Sequence, residues 1–85
     1  MFIEILTPDK KVFEGEATSA IFPGADGSFQ ILNNHAALVS TLGKGNIIFV
    51  KTLNNKLEEV QMEVDGGVVE VLNNKVTVLA EKIAE

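Results

Sequence analysis

VVEVLNNKVTVLA, residues 68–80, decides the fold class of this chain. Two runs that alternate apolar and polar residues, VVEVL (68–72) and KVTVLA (75–80), are joined by Asn73 and Asn74 alone. Alternation at period two is the mark of a strand with one buried face. Asparagine tolerates the positive φ that a two-residue type I′ turn demands. With Leu72 opposite Lys75, the register sets Val71 against Val76, Glu70 against Thr77, Val69 against Val78 and Val68 against Leu79. Val69, Val71, Val76 and Val78 then form a core face. The reverse face carries Val68 and Leu79 beside Glu70 and Thr77, so it reads either as a partner surface or as ordinary scattered apolar exposure.

Working outward, the same grammar recurs at intervals of roughly ten residues, the pattern of an all-β sandwich or barrel. FIEIL (2–6) is a first strand, closed by Thr7, Pro8 and Asp9, and KVFEGEA (11–17) returns as its partner. A third strand spans 19–22. Gly43, Lys44, Gly45 and Asn46 predict a turn before IIFVK (47–51), whose continuous apolar character marks a central strand. Residues 57–64 alternate, with Val60, Met62 and Val64 on the core side and Leu57, Glu59, Gln61 and Glu63 outside. EKIAE (81–85) reads as a helix start or a frayed end.

Composition bounds the function. The chain has 85 residues, of which 46% are hydrophobic, so it reads as one small globular domain covering 1–85. A core this small is marginal, and docking on a larger partner would support it. Cysteine is absent, which removes disulfides and thiolate metal sites and leaves a reducing interior such as the cytoplasm as the expected compartment. No window reaches the roughly 18 uninterrupted apolar residues of a membrane span, so direct membrane insertion is not expected. The net charge is −5 and the seven basic residues are scattered lysines without any arginine. Nucleic-acid binding, which needs a clustered basic patch, is therefore not expected.

The departure from plain strand logic lies in PGADGSFQILNNHAALVSTL, residues 23–42. Gly24, Asp26 and Gly27 concentrate turn chemistry, and Asn33, Asn34 and the only histidine, His35, interrupt an apolar run. A catalytic His35 would need an activated nucleophile or further metal ligands, and only Ser28, Ser40 and Thr41 are near it in sequence. A capped turn, with His35 bonded locally or facing a partner, accounts for the same residues. The glycines lack the Lys and Ser/Thr ending of a P-loop, and Asp26 would repel phosphate, so a shaped protein-contact turn is the better reading. Glu14, Glu16, Glu58, Glu59 and Glu63 sit at strand spacing, as solvated faces do. A glycosidase reading has no tryptophan or tyrosine sugar platform behind it. No catalytic residue, cofactor or metal site is expected. Lys10, beside Pro8 and Asp9 at a hairpin tip, keeps open an alternative: a lipoyl or biotinyl carrier domain modified on that lysine.

Four pieces in fixed order then carry a resemblance: TPDKKVFEGEA (7–17), PGADGSFQILNNHAAL (23–38), GGVVEV (66–71) and NNKVTVLAE (73–81). Together they resemble the N-terminal β-sandwich domain of the epsilon subunit of F-type ATP synthase. The resemblance implies an all-β, about ten-stranded β-sandwich or flattened barrel. It also implies a non-catalytic rotor component of the central stalk, bound to the gamma subunit and the c-ring. The address would be the cytoplasmic face of the bacterial plasma membrane. By the same resemblance Asp26, Gly27, Ser28, Phe29 and Gln30 would face the c-ring, and Thr7, His35 and Ser40 would face gamma. Many members of that family continue into a two-helix inhibitory arm. These 85 residues contain no such arm, so a coupling subunit without it is the expectation.

Overall fold

The computed structural model describes residues 1–84. Seven strands follow one another: β1 (Phe2–Leu6), β2 (Lys11–Gly24), β3 (Gly27–Leu32), β4 (Leu38–Leu53), β5 (Lys56–Leu72), β6 (Lys75–Ala80) and β7 (Ile83–Ala84). They form one sheet in the order β1-β6-β5-β4-β2-β3, with β7 on β5. Because β1 also pairs with β2, the sheet closes on itself as a flattened barrel. Closure removes two edges that would otherwise need protection. The β1–β6 pair is parallel and every other pair is antiparallel.

The 68–80 hairpin forms in the predicted register, from Leu72 opposite Lys75 to Val68 opposite Leu79. Asn73 (φ 51°) and Asn74 (φ 60°) supply the two positive φ values of its turn. Asn54 (φ 51°) and Asn55 (φ 63°) do the same between β4 and β5. Val69, Val71, Val76 and Val78 meet Ile3, Ile5, Phe22, Ile31, Ile47, Phe49 and Val64 in the core, all fully buried. Phe49 of the central strand stacks on Phe13 at 4.7 Å with the rings tilted by 47°. Among the described residues no polar or charged side chain is buried, so the core is held mainly by apolar burial and its backbone ladder.

The three long strands correct several expected boundaries. β2 runs unbroken where two strands, 11–17 and 19–22, were expected, and β4 passes straight through Gly43, Lys44, Gly45 and Asn46 where a turn was expected. In each long strand the buried positions change parity. They switch after Ala17 to Ala20 and Phe22 in β2, after Leu42 to Ile47 and Phe49 in β4, and after Val64 to Val69 and Val71 in β5. A strand whose inward side switches is passing from one layer of the sandwich to the other, through a bulge or glycine kink. In β2 a register shift marks the place, between Ala17 and Ser19. In β4 and β5, Leu42 pairs with Gly67 and Lys44 with Asp65, so both strands turn the corner together and the ladder continues. The strand count is seven where about ten were expected, because each of the three long strands serves both layers. The helix reading of 81–85 is overturned: Ile83 and Ala84 pair with Val64 and Glu63, and Glu85 lies outside the described residues.

Candidate functional site

The stretch 23–42 is mostly strand. Pro23 and Gly24 end β2, Ala25 and Asp26 make a two-residue turn, and Gly27 pairs back on Gly24. Gly27 has φ +130°, and a side chain there would meet nothing within 4 Å. Its requirement for glycine is thus conformational alone. Gly27→Val is expected to lose about 1 kcal/mol in urea unfolding; an unchanged midpoint would show that the turn relaxes without loss.

Asp26, Gly27, Ser28 and Gln30 are exposed, whereas Phe29 is half-buried and packs on Phe22 with ring centroids 5.8 Å apart. Phe29 therefore belongs partly to the core. The following turn is tied down from two directions. The Met1 ammonium, itself buried, donates to the Asn33 side-chain oxygen at 2.6 Å and to the Ala17 carbonyl at 3.1 Å. The Asn34 amide donates to the Asn74 side-chain oxygen at 2.7 Å, which links this turn to the β5–β6 hairpin. Asn34 takes φ 61°, and the His35 amide closes the turn on the Leu32 carbonyl at 3.2 Å.

His35 is half-buried, with Nδ1 2.8 Å from the Ala36 carbonyl oxygen. Ser40 is also half-buried and donates to the Thr41 carbonyl at 3.2 Å. Phe29, Gln30, His35, Leu38, Val39 and Ser40 line one shallow depression. The structure thus brings together residues that the family resemblance divides between two partners. Thr7 lies elsewhere, in the β1–β2 turn, where its amide donates to the Lys10 carbonyl at 2.9 Å and its hydroxyl accepts from the Lys10 amide at 3.2 Å.

An apolar row on the outer sheet connects the two places. Leu6 pairs with Leu79, Leu79 with Val68 and Val68 with Thr41, and Val39 and Leu72 flank the row. Leu79, Val68, Val39 and Leu72 are all exposed. The sequence marks Val68 and Leu79 through their register. Val39 and Leu72 acquire their meaning only from the β4–β5 pairing, which brings distant segments side by side.

Charged groups border this surface: Glu70 lies opposite Val39 and Thr77, and Lys75 lies opposite Leu72. Lys11 joins Glu14 and Glu4, the latter at 3.2 Å, and Lys75 lies 3.9 Å from Glu4. The hydrogen bond from Lys11 holds the Glu14 carboxyl below the usual carboxylate range, and the bonds to Glu14 and then Glu4 raise the Lys11 ammonium. Exposed pairs of this kind add little stability. Among the described residues no three potential metal-ligating side chains come together.

The fold is a closed, all-β sandwich flattened into a barrel. The chain belongs to the ATP synthase delta/epsilon chain β-sandwich domain family, which matches residues 1–85. An ATP synthase epsilon chain of Chlorobium limicola is 40% identical over 82 residues, covering 96% of this chain and 90% of its own. One from Maridesulfovibrio salexigens is 43% identical over 81 residues, covering 95% of this chain, which spans 54% of that relative's length. A chain in the cryo-EM structure of the Tetrahymena thermophila mitochondrial ATP synthase central stalk and c-ring shares the fold. Its TM-score is 0.83 at 21% identity, covering 100% of this chain and 66% of its own.

Proposed function

We propose that this chain is a non-catalytic epsilon-type subunit of the F1 sector of an ATP synthase, a rotor component of the central stalk that couples c-ring rotation to ATP synthesis. The observation that carries this reading is the family match along all of 1–85. Its role is to hold two partners in register, which a rigid closed sheet does well. In this proposal the 85 residues act as one β domain, peripheral to the cytoplasmic face of the bacterial plasma membrane. The turn at Asp26 and Gly27, with Ser28, Phe29 and Gln30, faces the c-ring. Gamma takes His35, Ser40 and Thr7 together with the exposed row of Leu79, Val68 and Val39 that runs between them. Family membership takes the place of the carrier-domain alternative on Lys10.

Co-purification tests the proposal: tagged chain should retain the gamma subunit, and failure to bind gamma with or without the c-ring would remove the stalk assignment. Within that assay His35→Ala should weaken gamma binding about tenfold while leaving the unfolding midpoint nearly unchanged. Phe29→Ser should impair both properties, because its ring serves the core as well as the surface. Equal losses of binding and stability for His35→Ala would mark it as a structural residue only.

A further inference from the structure

Two hairpins of this domain turn on the same dipeptide with the same backbone. Asn54 (φ 51°) and Asn55 (φ 63°) join β4 to β5, and Asn73 (φ 51°) and Asn74 (φ 60°) join β5 to β6. Glycine is the preferred second residue of such a turn, because it takes positive φ without steric cost. Asparagine there gives up part of that preference. At Asn55 the side chain is exposed and, among the described residues, makes no hydrogen bond. Asn74 differs: it is half-buried, its side-chain oxygen accepts from the Asn34 amide at 2.7 Å, and its carbonyl accepts from the Phe2 amide at 3.1 Å. One residue at a hairpin tip thus holds two segments outside the hairpin, and Asn34 lies 40 positions away from it.

The Asn34 amide occupies a particular place. In the turn from Leu32 to His35, closed by the His35 amide on the Leu32 carbonyl, Asn34 has φ 61° and Asn33 does not share the positive φ. Positive φ at the second central residue alone is the mark of a type II turn. Types I and II close the same four residues and differ in the direction of the central peptide, here the Asn33 carbonyl and the Asn34 N–H. Type I suits most residues, whereas type II calls for glycine or asparagine at the second central position. An acceptor facing the Asn34 N–H selects the one direction in which the bond forms, and that bond offsets the cost of a left-handed backbone at a residue with a Cβ. Asn33 is fixed as well, by the Met1 ammonium at 2.6 Å. His35 ends this turn and lines the shallow depression with Phe29 and Ser40.

We propose that Asn74 is a positioning residue for the surface around His35: its side-chain oxygen, reaching out of the β5–β6 turn, holds the Leu32–His35 turn in its type II form before any partner arrives. A surface ordered in advance loses less entropy on binding. The consequence for binding rests on the reading that His35 meets the gamma subunit.

The test compares Asn74→Gly, Asn74→Asp and Asn55→Gly by amide hydrogen exchange, by amide resonances and by titration with purified gamma subunit. Asn74→Gly gives the hairpin the residue its turn prefers and removes the acceptor, so the domain should still fold. The Asn34 amide should then exchange about tenfold faster, the Asn34 and His35 resonances should shift, and gamma binding should weaken about fivefold. Asn74→Asp keeps an acceptor oxygen and tolerates the left-handed backbone, so it should retain the wild-type values. Asn55→Gly, in a turn without such a bond, should alter none of them. Adding Asn34→Gly to Asn74→Gly should recover gamma binding, because glycine takes the type II backbone unaided.

Unchanged Asn34 exchange in Asn74→Gly would overturn the proposal and leave the stalk reading intact. Undiminished gamma binding by that variant would do the same, as would weakened binding that neither Asn74→Asp nor the added Asn34→Gly avoids. If the wild type binds no gamma, the stalk reading falls, and the exchange and resonances at Asn34 and His35 alone then decide whether Asn74 holds the turn.

Discussion

Gly67→Ala is expected to destabilise the domain by more than about 3 kcal/mol, a large share of the total stability of a small domain. Two independent penalties combine there. Gly67 has φ +142°, and an added Cβ would stand 2.3 Å from the Leu79 carbonyl oxygen and 2.9 Å from the Ala80 Cα. Both of these neighbours are backbone, so no rotamer change can make room. The site lies where β5 crosses from one layer to the other, and a shift there would displace the β6 ladder. Urea unfolding of the variant measures the effect directly. A loss under about 1 kcal/mol would show that β5 and β6 can separate locally and still pack. Gly27→Val makes the natural comparison, since open space surrounds Gly27 and only its φ resists substitution.

Phe49→Ala should cost about 3–5 kcal/mol, the range for removing a fully buried aromatic ring. The ring is wholly shielded from solvent and stacks on Phe13, which is itself only half-buried. Removing Phe49 therefore opens a cavity and also leaves Phe13 without its partner. Val39→Ala, at a side chain 70% exposed, should change stability by no more than about 0.5 kcal/mol. A Phe49→Ala loss as small as that of Val39→Ala would mean that the barrel collapses onto the vacated volume.

The sequence is most legible where local chemistry and pattern agree. The β5–β6 hairpin could be read to the residue because Asn73 and Asn74 set its loop length and four valines set its face. The same Asn-Asn signal stands at 54–55, between IIFVK and the alternating run, and it fixes the β4–β5 hairpin just as firmly. What resisted reading were the crossings between layers. A change in burial parity within one strand looks, along a sequence, like the end of one strand and the start of another. Glycines that bend a strand look like glycines that reverse it, which is why 43–46 suggested a turn. β7 is too short to carry a period of its own, and its place depends on Glu63 and Val64 being nearby.

For the candidate surface, residue identities were legible and their grouping was not. Gly27 and His35 stand out by chemistry, whereas Phe29 and Gln30 enter only through the family resemblance. That Phe29 and Gln30 share a depression with His35 and Ser40 follows only once β3 and β4 lie in space, as does the separation of Thr7 from them.

The parallel pairing of β1 with β6 has a consequence for how the molecule is made. Phe2–Leu6 finds one neighbour early, in β2, but its other neighbour spans Lys75–Ala80, almost the whole chain away. During synthesis the first strand leaves the ribosome long before its last partner exists. The barrel can close only after nearly everything else has been translated, and the long loop this closure spans favours slow folding. Until then the outer side of β1 is a temporary open edge, along which the nascent chain is exposed to mispairing.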